Sequence, residues 1–394
     1  MKPNVLHLIN SFEQGGTERQ TLQLVRLLKE HGRFGVGLAC LNAHGMLREE
    51  AEGFGLGEIR EYRLGGFGSV SFARQVWRLA RYLRERRVSV VHAHDLYTNI
   101  FGMFAATLAR TPARIASRRD TEGFRTPAQS FVERRAYGLA QRVVVNAEAV
   151  REFLVRGGVP SGKIVTLYNG LDTRRVEPPE GFRREAALAS LGLPEGRRFV
   201  TIVANVQHEV KDHRTFLRAA RRVKGEVSDA AFVVAGEGRL LEPLRDYAAE
   251  LGIGADVFFT GRCARVAELL AVSDVCVLSS KAEGFSNSIL EYMAAARPVV
   301  ATDVGGAREA VAEGETGHLV PPGDDELLGA RVASLLKEPE RARLFGERGR
   351  RVVAERFSCA AQLANAEALY ESLLARRALE PAQEGVAGVP RTSG

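Results

Sequence analysis

The sequence predicts an α/β protein made of two doubly wound, parallel-sheet domains that face each other across a cleft. Three observations lead there. Short apolar, β-branched runs alternate with longer amphipathic stretches from end to end, the pattern of βαβ units and parallel sheets. The scheme occurs twice, and the two blocks meet at residues 177–195, where Pro178, Pro179, Gly181 and Pro194 mark a linker. With 394 residues, 45% hydrophobic and 26% charged, the chain can fill two such cores and is too apolar for extensive disorder.

In chain order, the first block places strands at residues 5–9, 36–41, 88–92, 114–116, 143–145 and 163–167. Between them, residues 17–31 carry Leu24, Val25 and Leu28 on one helical face and stop at Gly32. Residues 72–86 form a second amphipathic helix over a stripe of Val76, Leu79, Ala80 and Leu83. The second block places strands at 199–204, 232–235, 257–259, 275–278 and 299–301, and a helix near 360–375 packs back across the hinge. The expected organisation is a domain over 1–172, a domain over 173–360, a helix over 361–378 returning to the first domain, and a Pro/Gly/Ala-rich disordered tail over 379–394.

Composition narrows the function. No apolar run reaches the ~18 residues that span a bilayer. The opening MKPNVLHLIN is too short and too mixed for a signal peptide and reads as a buried strand. Cys40, Cys263, Cys276 and Cys359 are widely spaced, without a Cys-x-x-Cys pair, which argues for reduced thiols in a cytoplasmic protein over a disulfide framework or zinc site. The net charge of +7 favours anionic partners. Nucleic acid is excluded because the arginines follow helices and do not interleave with exposed aromatics.

The most informative segment is residues 283–293. It follows a strand, turns at Gly284, and enters a helix with Ser286 at the N-cap. Backbone N–H groups at such a helix start suit a diphosphate. Glu283 lies in the loop facing the cleft, and Glu291, one to two turns into the helix, can accept from ribose hydroxyls. The plain alternative is that both are solvated surface acids.

The run EGFSNSILEYMAAARPVVATDVGGAREAV resembles the Glu-x7-Glu segment of the retaining GT-B glycosyltransferases of the family 4 group. Other blocks follow in that family's order: GGTERQ, VVHAHD, VVVNAEAVREFL with VTLYNGLD, KDHRTFLRAA, VVAGEGRL with VFFTGR, and GETGHLVPPGD. The resemblance covers roughly residues 4–375. It implies the GT-B fold of two Rossmann-like domains and transfer of a sugar from a nucleoside-diphosphate donor, a UDP-sugar favoured, to an acceptor hydroxyl with retention. It implies no cofactor and no metal, and the absence of any Asp-x-Asp agrees with the latter.

Residue by residue, the resemblance puts Glu291 on the ribose and Glu283 near the donor sugar, with His94 also at the transferred sugar and Lys211 on the phosphates. His94, Lys211 and Glu283 are thus the catalytic candidates, and Glu283 is not read as a nucleophile. Gly284, Phe285, Ser286 and Asn287 would contribute backbone contacts to the donor, Gly15 and Gly16 a close-approaching loop, and Arg262 a place near the base. One departure stands out: the family often has an arginine about six residues before the lysine, and this chain has Asn205. Arg74, Arg78 and Arg81, on the helix over 72–86, read either as a solvated face or as a docking face for anionic membrane or a lipid-linked acceptor. Arg118 and Arg119 fall in an acceptor-side loop. The expected partners are therefore a nucleotide sugar, a glycan or lipid-linked acceptor, and a peripheral contact with an anionic membrane surface.

Rival classes make different demands. A nicotinamide-dependent oxidoreductase needs Gly-x-Gly-x-x-Gly after the first strand, and NSFEQGG is not that. A GT-B epimerase or a non-catalytic nucleotide-sugar-binding protein would share the fold, and Asn205 keeps the latter open.

Overall fold

A computed structural model describes residues 2–66, 69–121 and 125–379. The expected disordered tail, 379–394, lies outside the described residues from 380 onward. The first sheet contains β1 (Asn4–Ile9), β2 (Gly35–Cys40), β3 (Arg60–Glu61), β4 (Val88–Ala93), β5 (Ala113–Arg118), β6 (Arg142–Val145) and β7 (Ile164–Thr166). The second contains β8 (Arg198–Val203), β9 (Ala230–Ala235), β10 (Val257–Gly261), β11 (Val275–Leu278), β12 (Val299–Thr302) and β13 (Gly317–Val320).

The orders are β3-β2-β1-β4-β5-β6-β7 and β10-β9-β8-β11-β12-β13, and the pairings are parallel. Each sheet reverses its winding once, between β1 and β4 and between β8 and β11. Ligands of open parallel sheets bind beyond the carboxyl ends of the strands at such a reversal. Helices cover both faces, so the central strands are buried continuously: all of β9, β11 and β12 is buried. This is the GT-B architecture of two parallel-sheet α/β domains.

Two strands have no counterpart in the sequence reading. β3 pairs through two residues alone, and β13 is a four-residue Gly-His-Leu-Val run, too short for periodicity to register. The segment over 177–195 is more than a linker, because the helix Arg184–Leu191 buries Ala187 and Leu188 beside Phe199.

The helix Gly16–His31 starts from Gly15 in extended conformation and ends at Gly32, whose φ of 72° lets its N–H reach the Leu28 carbonyl. The helix Val70–Glu85 is capped by Ser69, whose hydroxyl accepts from the Phe72 N–H.

The last helix, Cys359–Leu379, crosses from the second domain to the first. Leu171, at the end of the first domain, donates its N–H to the Phe357 carbonyl just before that helix begins. Ala366, Leu369, Tyr370 and Leu373 then pack with Val5, Leu24, Leu28 and Val90. The Tyr370 hydroxyl contacts His92 Nδ1 at 2.8 Å, and Glu367 receives His31 and Arg33.

Tyr370→Ala should therefore lower unfolding free energy by about 3–5 kcal/mol, read from the urea midpoint. Tyr370→Phe, which removes the hydroxyl alone, should cost about 1 kcal/mol. A loss below 1 kcal/mol for the alanine variant would mean that the helix is anchored elsewhere.

Candidate active site

The carboxyl ends of β8 and β11 open toward the first domain, and the loops there are pinned to each other. The Ser279 hydroxyl donates to the carbonyls of Lys211 and Asp212, at 3.0 and 3.1 Å. The Lys281 N–H donates to the Val210 carbonyl at 2.8 Å. Asp212 sits at φ 45°, a left-handed conformation that Asp tolerates, and caps the helix His213–Glu226. With the turn held on both sides, the Lys211 side chain is aimed into the cleft. Its Nζ donates to Glu283 Oε1 at 2.5 Å, and the same oxygen accepts from the Ser280 hydroxyl at 2.7 Å.

Residues 284–288 lead from Glu283 into the helix Asn287–Ala294. Ser286 occupies the N-cap, yet its side chain makes no cap hydrogen bond. The Asn287 side chain turns instead toward the first domain, where its Oδ1 accepts from Asn169 Nδ2 at 2.9 Å and from Gln20 Nε2 at 3.2 Å. The helix start thus retains first-turn N–H groups free of any side-chain cap, an arrangement suited to an anion. The Phe285 ring packs in an aromatic cluster with Tyr168 and Phe357.

A cavity of about 310 Å³ lies at this point, lined by Gly16, Thr17, Arg119, Asn146, Asn169, Lys211 and residues 283–288. A wider one of about 800 Å³ adjoins it, lined by Gly15, Arg19, Gln207, Gly236, Arg262 and others. The two share Ala204, Asn205 and Ser288, so they form one continuous cleft. Of the expected donor-binding residues, Gly15, Gly16, Asn205, Lys211, Arg262, Glu283, Gly284, Phe285, Ser286 and Asn287 all line it. Glu291 is half-buried one turn further along; burial raises its pKa, while Arg175 and Arg19 pull it down. It is therefore not the freely solvated acid of the plain alternative.

Three placements differ from the sequence reading. Arg118 is 5% exposed and paired with Glu133 and Asp120, so it is a structural cation and not an acceptor or membrane contact. Arg119, its neighbour, does not face an acceptor loop: it lines the 310 Å³ cavity. Successive residues leaving β5 point to opposite sides, which separates the two. His94 is 1% exposed and has Arg119 Nη2 against its Nδ1, so Arg119 stands between the ring and the cavity.

His94 belongs to a buried cluster with His7 and His92, the one group among the described residues whose His, Cys or acidic side chains are close enough to share a metal ion. A guanidinium only donates, so His94 Nδ1 accepts from Arg119 and its Nε2 donates to His7 Nδ1 at 2.9 Å. That leaves the proton of His7 on Nε2, which has no partner. Burial, with Arg119 adding to it, pushes His7 down to about 3, and burial holds His92 and His94 well below their usual range, so all three are neutral at physiological pH. His7 carried no sequence signal, because it lies inside a buried strand.

Arg74, Arg78 and Arg81 are exposed on the helix Val70–Glu85 beside Trp77, which is 54% exposed; Leu79, Ala80 and Leu83 form its buried side. A further cavity of about 640 Å³ sits in the first domain among Asn10, Leu41, Asn42, His44, Arg63 and Tyr97. Its walls come from separate segments that follow β1, β2, β3 and β4, so no contiguous motif announced it.

Residues 14–175 match the family Glycosyltransferase Family 4, and residues 183–352 match Glycosyl transferases group 1. The chain is 30% identical over 294 residues to alpha-maltose-1-phosphate synthase of Mycolicibacterium smegmatis, covering 69% of this chain and 76% of that one. It is 32% identical over 217 residues to N-acetyl-alpha-D-glucosaminyl L-malate synthase of Bacillus anthracis, where the match spans 55% of each chain, little more than half the relative's length. Anabaena Alr3699/HepE, crystallised with UDP, shares the fold with a TM-score of 0.82 at 19% identity, over 94% of this chain and 100% of that one.

The close approach between the two domains is testable. A β-carbon at Gly284 would stand 1.9 Å from the Arg119 carbonyl oxygen, backbone against backbone across the two domains. Gly284→Ala should force the domains apart, costing about 1–3 kcal/mol in urea unfolding and at least tenfold in nucleotide affinity by calorimetry. Wild-type values in both would show that the domains meet differently.

Proposed function

The chain belongs to the group 1 and family 4 glycosyltransferases, and from that premise we propose that it moves a sugar from a nucleoside-diphosphate donor to an acceptor hydroxyl in glycan or polysaccharide synthesis, retaining the anomeric configuration. The observation that carries this reading is the Lys211–Glu283 pair, set beside the start of the helix Asn287–Ala294 in one cavity. The helix start and Lys211 suit a diphosphate, and Glu283 suits sugar hydroxyls. A UDP-sugar is the favoured donor, by fold-level analogy with Alr3699/HepE, whose crystal structures include one with UDP-glucose.

As the diphosphate enters, Lys211 exchanges its bond to Glu283 for the phosphate oxygens. Its charge then stabilises the negative charge that develops as the nucleoside diphosphate leaves, the need that a divalent metal meets in other sites. Glu283 is the sole carboxylate among the described residues lining the 310 Å³ cavity, and Lys211 and Ser280 hold it. With Lys211 turned to the phosphates, Ser280 still holds the Glu283 carboxylate, which is read as a partner for sugar hydroxyls and not as a nucleophile, with departure and attack on one face of the sugar. Gly15, Gly16 and the 284–287 backbone would approach the donor closely, Glu291 would take the ribose, and Arg262 would lie near the base. The acceptor side falls to the first domain, with its 640 Å³ cavity.

Removing one preorganised donor from such a site costs ~3 kcal/mol, on the order of 10²-fold in rate. Lys211→Ala should lose at least that factor in kcat, and more than it loses in donor affinity. Single-turnover kinetics decide it: a loss under fivefold would favour a non-catalytic binding protein, and sugar-nucleotide turnover without acceptor would favour an epimerase. Activity should also persist in EDTA; loss restored by Mn²⁺ would overturn the metal-free reading.

A further inference from the structure

The cleft contains a cation that the donor reading does not use. Arg119 sits in the wall of the cavity that holds Lys211 and Glu283. Its guanidinium has two side-chain contacts, Asn169 Oδ1 at 3.0 Å and His94 Nδ1 at 3.5 Å, and both are neutral. Its Nε has no partner. Among the described residues no carboxylate pairs with it; Glu18 acts on it only through space. Burial lowers its pKa to about 10, so it stays charged at physiological pH.

A half-buried, unpaired guanidinium is costly, because it gives up water without gaining a counter-charge. Neighbouring Arg118 escapes that cost, because Glu133 and Asp120 pair with it. At Arg119 no acid makes such a contact, and Glu18 is felt only through space. Glu283, the acid nearest at hand in the cavity wall, is already matched by Lys211. The cavity therefore carries one net positive charge aimed at whatever fills it.

Across the cleft, Asn205 stands exposed at the end of β8, where the family reading expects an arginine, and it lines the same cavity. We propose that Arg119 supplies the second phosphate-binding cation of the donor site, from the first domain, in place of the arginine absent at position 205. The two cations that grip the diphosphate are then divided between the domains: Lys211 on the second and Arg119 on the first. The anion itself draws the cleft together. The Arg119 side chain is steadied for this by Asn169, which also donates to Asn287 Oδ1 and the Phe285 carbonyl at the helix start. The inference rests on the donor reading above.

Calorimetry with UDP, GDP and ADP on the wild-type protein first identifies the diphosphate bound; no binding of any of them overturns the donor reading and, with it, this one. For the diphosphate that binds, Arg119→Gln should lose about 10-fold or more in affinity, while affinity for the parent nucleoside, which has no phosphate, stays within twofold. Asn205→Arg added to Arg119→Gln should restore most of the loss, which repair of a merely structural defect would not do. Thermal unfolding of each variant keeps misfolding separate from lost binding. Unchanged diphosphate affinity in Arg119→Gln overturns the proposal. So does a loss confined to a hexuronate-bearing nucleotide sugar, which would assign the cation to a carboxylate on the sugar. Equal losses for nucleoside and diphosphate overturn it too.

Discussion

The carbonyl oxygen of Arg119 occupies the space that a β-carbon on residue 284 would need, and the rest of the cleft is arranged around that contact. Glycine at 284 lets a loop of the second sheet lie directly on a loop of the first. Once there, Thr121 donates to the Glu283 carbonyl, Asn169 donates to the Phe285 carbonyl, and the Gly306 N–H closes on Gly284. Phe285, Tyr168 and Phe357 fill the apolar side of the joint. Polar contacts set the spacing of the domains and the aromatic cluster seals it. The last helix then ties the second domain back to the first through Tyr370 and Glu367.

Such a joint leaves the cleft polar and narrow, which governs its electrostatics. Lys211 and Glu283 neutralise each other at rest, so that neither is stranded in a partly buried place. Arg119 has no such partner. The histidines behind it add no charge, since burial keeps His7, His92 and His94 neutral. An empty site that carries an excess cation is strained in a useful direction, because an entering diphosphate relieves the strain.

Much of this was legible in the residues. The alternation of apolar runs and amphipathic stretches located every strand of the two sheets except β3 and β13, and the 283–293 segment pointed to the helix start on which the cleft centres. Gly15, Lys211 and Arg262 lie far apart in the chain yet line one cleft. Parallel sheets make this so, because the carboxyl ends of all their strands open on one edge.

What the sequence by itself determined is the set of elements, their parallel pairing and the edge where a ligand must lie; these follow from periodicity and from the connections that βαβ units permit. Tertiary structure alone decided which of two adjacent arginines meets the ligand. Arg118 ends β5 and Arg119 follows it, the same residue type side by side, and sequence does not say which of them faces the cleft. One found Glu133 across a buried face and the other found a cavity, because side chains alternate along a strand and the partner is brought in by the packing of the next helix. The same reason applies to His94. Its position at a strand end suggested access, but burial depends on how closely the second domain and Arg119 approach, and that distance is set by a glycine 190 residues later.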